Sequence, residues 1–327
     1  MSKRVFSGIQ PSGHIHIGNY IGAIRNWLGN LESRDNIFCV VDQHAITVDY
    51  DSDALRQGTR DAVALYIACG LDPEKCRLFV QSHIPEHTEL AWLLTCVTPM
   101  GWLERMTQFK DKAGAKRERA GTGLFTYPTL MAADILLYQT HEVPVGDDQK
   151  QHVELTRDIA ERFNHKFGEV FVIPEPVIPV VGARIMGFED PTAKMSKSAP
   201  GHYHSVGLLD DPAKAHKTIM RAVTDSQQGI VFDPARAGLF NLLSIYQVLT
   251  GQSREQIEAH FAGKGYGDLK NEVAEVVIAE IEPIQQRYRE LITDSTYIDA
   301  VLARSVEKLR PVVDATMDAV RRAMGHR

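Results

Sequence analysis

Cysteine is scarce in this chain: the four present (Cys39, Cys69, Cys76 and Cys96) form no CxxC pair and no metal-ligand spacing. That excludes a thiolate-bound structural metal and argues against a disulfide framework. Cys39, inside the apolar run Ile37–Val41, is expected to be a buried thiol. No apolar run reaches the roughly 18–20 residues that span a bilayer. Met-Ser-Lys-Arg leads straight into a strand pattern with no cleavable signal, so the expected compartment is the cytoplasm and no membrane partner is expected. Positive charge is not in excess: 36 Lys and Arg against 42 Asp and Glu leave a net charge of −6. Such a balance argues against binding DNA or RNA by bulk electrostatics, while a local basic patch stays possible. Repeats and low-complexity tracts are absent, and the tryptophans (Trp27, Trp92, Trp102) sit in helical patterns where packing is the expected role. Histidine pairs at His83/His87 and His202/His204 lack a third ligand, so no metal site is expected.

What is present is the alternation of an α/β protein. Arg4–Ser7, Ile37–Val41 and Arg77–Gln81 are apolar, strand-like runs separated by helices at Gly18–Asn30 and Ser52–Cys69. Continuous apolar strands between amphipathic helices predict a doubly wound parallel sheet covered on both faces. Ligands of such sheets bind beyond the strands' carboxyl ends, where Gly8–Gly13, Asp42–His44 and Ser82–His83 fall. Residues 86–140 are mostly helical, and His141–Val145 is a further strand followed by a helix to about Asn164. Beyond about residue 205 only helices are expected: Asp210–Ala222, Leu239–Leu249, Arg254–Phe261, Leu269–Leu291 and Tyr297–Met324. At 327 residues, one large and one smaller domain are expected, at 1–203 (with a helical insertion near 86–140) and 204–327.

Two stretches carry chemistry. Phe6-Ser-Gly-Ile-Gln-Pro-Ser-Gly-His-Ile-His-Ile-Gly-Asn19 runs from a strand through a small-residue loop to a helix start, an arrangement suited to a phosphorylated ligand. A turn that merely needs glycine explains it equally well on its own. Far downstream stands Lys194-Met-Ser-Lys-Ser198. The pair resembles the two signatures of class I aminoacyl-tRNA synthetases, with Asn19 in place of the last His of the first. Val41–Thr47, Gln108–Lys112, Met131–Tyr138 and Pro144–His152 follow in the order of the bacterial tryptophan-specific branch, and the resemblance covers almost the whole chain.

That resemblance implies a Rossmann-type catalytic domain and a helical domain that reads tRNA(Trp). It also implies a homodimer, with ATP and L-tryptophan as substrates and Mg²⁺ held mainly by the ATP phosphates. Lys112, Lys194 and Lys197 would bring cations to the departing pyrophosphate, with hydroxyls from Ser196 and Ser198. Gln10, Pro11, Ser12, His16, Gly18, Asn19, Ile185 and Met195 would hold the nucleotide, and Gly146, Asp147 and Asp148 its ribose. The two acids also suit the cap of the next helix. Asp134 would accept the indole N–H; a carboxylate in the apolar wall Met131-Ala-Ala-Asp needs a donor partner in any case. Phe6, Gly8, Met131, Val143 and Val145 would wall the pocket with His44 nearby, and Tyr127 and Gln149 would take the substrate ammonium. Without the resemblance, Asp134 is a structural acid, His16 a surface residue and the mixed-charge segment 110–119 a solvated strip. Lys214, Lys217, Arg221 and Lys264 could touch RNA backbone but are each better explained as ordinary surface cations.

Three rival readings remain. Tyrosine-specific relatives share both signatures, but carry a Tyr in the first strand where Phe6 stands and a further RNA-binding module. A non-catalytic nucleotide- or RNA-binding paralogue would not need the intact lysine pair. A small-molecule nucleotidyltransferase would have no use for the helical tail.

Overall fold

The computed structural model describes residues 2–11, 15–107, 121–177, 184–196 and 201–326, with Asp147, Asp148 and Ser295 described by backbone alone. Five parallel strands, β1 (Arg4–Ile9), β2 (Asp35–Val40), β3 (Arg77–Val80), β4 (Glu142–Pro144) and β5 (Glu175–Val177), form one sheet in the order β3-β2-β1-β4-β5. Register pairs Phe6 with Ile37 and Cys39 with Phe79. Successive strand residues feed opposite cores: Ile9, Phe38, Val40, Leu78 and Val80 on one face, Phe6, Ile37, Cys39, Val41 and Phe79 on the other. This alternation inside nearly all-apolar strands is what a sheet covered on both sides requires.

The first helical segment begins one residue before its expected start and is not uniform. It runs α1 (Ile17–Asn19), a π-helical turn at Tyr20–Ile24, then α2 (Arg25–Gly29). Next come α3 (Asp42–Ala45), α4 (Ser52–Ala68, capped by Asp51 on the Ala54 N–H), α5 (Glu86–Val97), α6 (Met100–Glu104), α7 (Thr122–Leu136) and α8 (Asp147–Phe167). The tail supplies α9 (Pro212–Met220), α10 (Ala237–Thr250), α11 (Arg254–His260), α12 (Tyr266–Thr293) and α13 (Ser295–Met324). Asp211 caps α9 through the Ala213 N–H at 2.8 Å, with Pro212 in the first turn where a missing N–H costs nothing.

The tail helices pack into the sheet's own cores. From α12, Tyr288 donates to Asp61 at 2.8 Å, and Glu280 accepts from Tyr20 at 2.6 Å. Helix α13 crosses the free edge of β3: Ile298 and Leu302 belong to one core, Leu309, Val313, Met317 and Val320 to the other. Where it crosses, the Ser305 hydroxyl accepts from the Leu78 N–H at 3.2 Å, pairing an edge group that would otherwise invite another strand. Trp27 packs against Phe38 and Tyr66, and half-buried Trp102 lies under Arg162. Trp92 departs from the packing expected of it: its ring faces outward from α5 and is 68% exposed. Helical periodicity does not say which face meets a neighbour. No helix among the described residues is long and apolar enough to cross a membrane.

Candidate active site

The strand order reverses between β1 and β4, so a crevice opens beyond their carboxyl ends. Gln10 and Pro11 leave β1 there, exposed and half-buried respectively, while Ser12 lies outside the described residues. His16 caps α1: its Nδ1 accepts the Asn19 N–H, and the Asn19 side chain accepts the His16 N–H, both at 3.2 Å. The acceptor role requires Nδ1 to be unprotonated. Burial, then the nearby charges of Lys194 and His204, lower the imidazole to about 4.

The second signature comes to the first through backbone pairing. Residues on either side of 190 form a hairpin, with Met195 N–H donating to the Ile185 carbonyl at 3.0 Å and Gly187 N–H to Ala193 at 2.9 Å. The side-chain amide of Asn241, on α10, clasps Met186 by donating to its carbonyl at 2.9 Å and accepting its N–H at 2.8 Å. The His204 ring fills the space above Gly187, where a Cβ would collide with it. Residues 206–208 pair with the start of α1: Ile17 N–H donates to Val206 at 2.9 Å and Leu208 N–H to Ile15 at 2.8 Å. Met195 thereby reaches Gly18, whose absent Cβ would lie 3.2 Å from the Met195 sulfur and 3.0 Å from His16 Nδ1. Lys194 is exposed beside this contact and Ser196 half-buried; Lys197, Ser198 and Lys112 lie outside the described residues.

Beside the segments that follow β2 and β3 stands Asp134, 1% exposed in α7 and surrounded by N–H donors. His44 Nε2 meets Oδ2 at 2.7 Å, while Gln81 Nε2 at 2.6 Å and His87 Nδ1 at 2.7 Å meet Oδ1. Burial alone would raise this carboxyl. The charge and hydrogen bond of His44, then the hydrogen bond of His87, outweigh it and hold Asp134 well below the usual carboxylate range. Around it, Phe6 stacks on Tyr138, Gly8 approaches Val41, Val143 is buried, and Met131 and Val145 are half-buried against the same core. Tyr127 presents an edge to His44, with ring centroids 6.2 Å apart, and its hydroxyl meets His152 Nε2 at 2.7 Å.

At the foot of β4, the Gly146 carbonyl accepts the Gln149 N–H at 2.9 Å and α8 begins. Asp147 and Asp148 open that helix, their side chains lying outside the described set. Sequence reasoning missed Gln81, His87, Tyr138, His204 and Asn241 as members of this architecture. Gln81 follows β3 and His87 lies in the first turn of α5, but their convergence on Asp134 depends on how three separate segments fold together. The cations weighed as RNA contacts have partners within the chain: Lys214 meets Asp210, Lys264 meets Glu272, and Lys217 and Arg221 face the Tyr203 ring.

Comparison with known proteins agrees with this geometry. The model of the family "tRNA synthetases class I (W and Y)" matches residues 2–282. A tryptophan–tRNA ligase of Wolinella succinogenes is 53% identical over 325 residues, covering 99% of each chain. Among solved structures, tryptophanyl-tRNA synthetase from Mycoplasma pneumoniae superposes with a TM-score of 0.90 at 37% identity, covering 99% of this chain and 98% of that one. The Campylobacter jejuni tryptophanyl-tRNA synthetase complexed with ADP and tryptophan gives 0.86 at 34% identity, covering 98% and 99%. The chain belongs to the class I tRNA synthetases of the tryptophan and tyrosine group.

Proposed function

We propose that the chain activates L-tryptophan with ATP, forming tryptophanyl-adenylate and pyrophosphate, and then transfers tryptophan to tRNA(Trp). One observation carries the reading most: the 185–195 hairpin sets Met195 against Gly18, so Lys194 and Ser196 flank the helix N-terminus that His16 caps. In the first step a tryptophan carboxylate oxygen bonds to the α-phosphorus while the bond to the β-phosphate bridging oxygen breaks, and charge leaves with pyrophosphate. Such a step needs alignment and cations more than covalent help.

Lys194, with Lys197 and Lys112, supplies those cations, and Ser196 and Ser198 add hydroxyl donors. Gln10, Pro11, Ser12, His16, Gly18, Asn19, Ile185 and Met195 hold the nucleotide, with Gly146, Asp147 and Asp148 at its ribose. Mg²⁺ is held mainly by the ATP phosphate oxygens. Asp134 takes the indole N–H, within walls made by Phe6, Gly8, Met131, Val143 and Val145 and beside His44. Tyr127 and Gln149 take the ammonium. Residues 204–327 read the tRNA, and the working form is a homodimer. The test is ATP–pyrophosphate exchange with each amino acid in turn, followed by charging of tRNA(Trp) transcript. Exchange and charging with tryptophan support the reading; exchange with tyrosine alone, or with no amino acid, overturns it.

A further inference from the structure

His87, in contact with Asp134, is fully buried with both ring nitrogens engaged: Nδ1 to Asp134 Oδ1 and Nε2 to the Tyr138 hydroxyl, each at 2.7 Å. Tyr138 is also fully buried, between Phe6 and Phe79, and Arg4 holds its carbonyl. We infer that Tyr138 and His87 form a positioning relay that fixes Asp134 as a pure acceptor and directs the indole N–H to its Oδ2 oxygen. This rests on the tryptophan reading above and deepens it.

Counting donors and lone pairs leads there. Each carboxylate oxygen offers about two acceptor directions. Oδ1 takes two N–H groups, from Gln81 and His87, and is full; Oδ2 takes only His44. A substrate N–H therefore has Oδ2 alone, beside or in place of His44, whose side chain is 15% exposed.

Proton positions follow in the same way. Gln81 cannot turn its amide, because its Oε1 accepts the Gln43 N–H at 3.1 Å. Burial pushes the Tyr138 hydroxyl well above its ordinary range, so it keeps its proton, and His87 Nε2 is the partner that takes it. An Nε2 that accepts the Tyr138 O–H leaves the ring's own N–H on Nδ1, where it donates to Asp134 Oδ1. Without the hydroxyl, nothing at Nε2 holds the ring in that tautomer, and in the other one a lone pair faces Oδ1, so the carboxylate loses a donor and its fixed orientation toward the indole.

The experiment compares tryptophan with β-(benzothiophen-3-yl)alanine, an isostere with sulfur in place of N–H, by kcat/KM in ATP–pyrophosphate exchange. Four proteins are used: wild type, Tyr138→Phe, His87→Asn and the double variant, each first checked for a cooperative thermal transition. Asparagine can present an amide N–H near the Nδ1 position without needing Tyr138. The relay predicts that Tyr138→Phe lowers the wild-type preference for tryptophan roughly tenfold, about one hydrogen bond's worth. KM for ATP should stay unchanged, and the same change in the His87→Asn background should leave the preference where it is. A Tyr138 that only packs would give the same effect in both backgrounds, or none in either, and would overturn the relay while leaving Asp134 as the reader of the indole. A wild type that does not prefer tryptophan over the isostere would overturn both.

Discussion

At the scale of single residues, neighbours decide what each side chain can do. Asp134 was legible as an acid in an apolar wall that must have a donor, and the fold gives it three. The identity of those donors was not legible, because Gln81 and His87 are distant in sequence and their own spacings suggest nothing. His16 was legible as a helix-start residue but not as a buried one. Its imidazole lies at about 4 against an ordinary 6.5, so the unfolded chain takes up a proton first as pH falls. Stability from His16 is therefore complete above 6.5 and is lost progressively as pH drops toward 4. Urea unfolding at pH 7.5 and 5.5 should show a fall in unfolding free energy that is smaller in His16→Asn, which keeps a capping side chain. An equal fall in both proteins would remove His16 as its source.

Elements come next. Strand and helix existence followed from apolar runs, and Asp51 and Asp211 cap α4 and α9 with their side chains. The π-helical turn at Tyr20–Ile24, whose Tyr20 hydroxyl donates to Glu280 on α12, had no signal in the sequence. Nor does sequence reveal how the 185–195 hairpin is held, because Asn241 lies 55 residues beyond Met186. Asn241→Ala removes both hydrogen bonds to Met186 and leaves its backbone groups unpaired, a cost of about 1–3 kcal/mol. With the hairpin less fixed against Gly18, KM for ATP in the exchange assay should rise roughly tenfold while KM for tryptophan changes little. A rise confined to tryptophan would contradict this role.

For the whole molecule, 1–203 and 204–327 differ in element type but share their cores. Helices α12 and α13 complete the packing of the sheet that precedes them. Composition shows where strands stop; it does not show that a tail helix returns to cover β3. Ser305→Ala takes away the acceptor of the buried Leu78 N–H and should lower the unfolding free energy by about 1–3 kcal/mol, read by chemical denaturation. No loss would mean that apolar packing alone protects that edge. Charge at this scale is mildly acidic, so the proposed reading of tRNA needs a local surface and not bulk electrostatics.

The central claim is that a donor-surrounded carboxylate in a synthetase fold selects tryptophan. Its most direct test is kcat/KM for tryptophan and for tyrosine in ATP–pyrophosphate exchange, measured on the wild type and on Asp134→Asn. The account predicts that tryptophan is strongly preferred by the wild type and that its kcat/KM falls by about a hundredfold or more in the variant. Unchanged tryptophan activation in Asp134→Asn would contradict it.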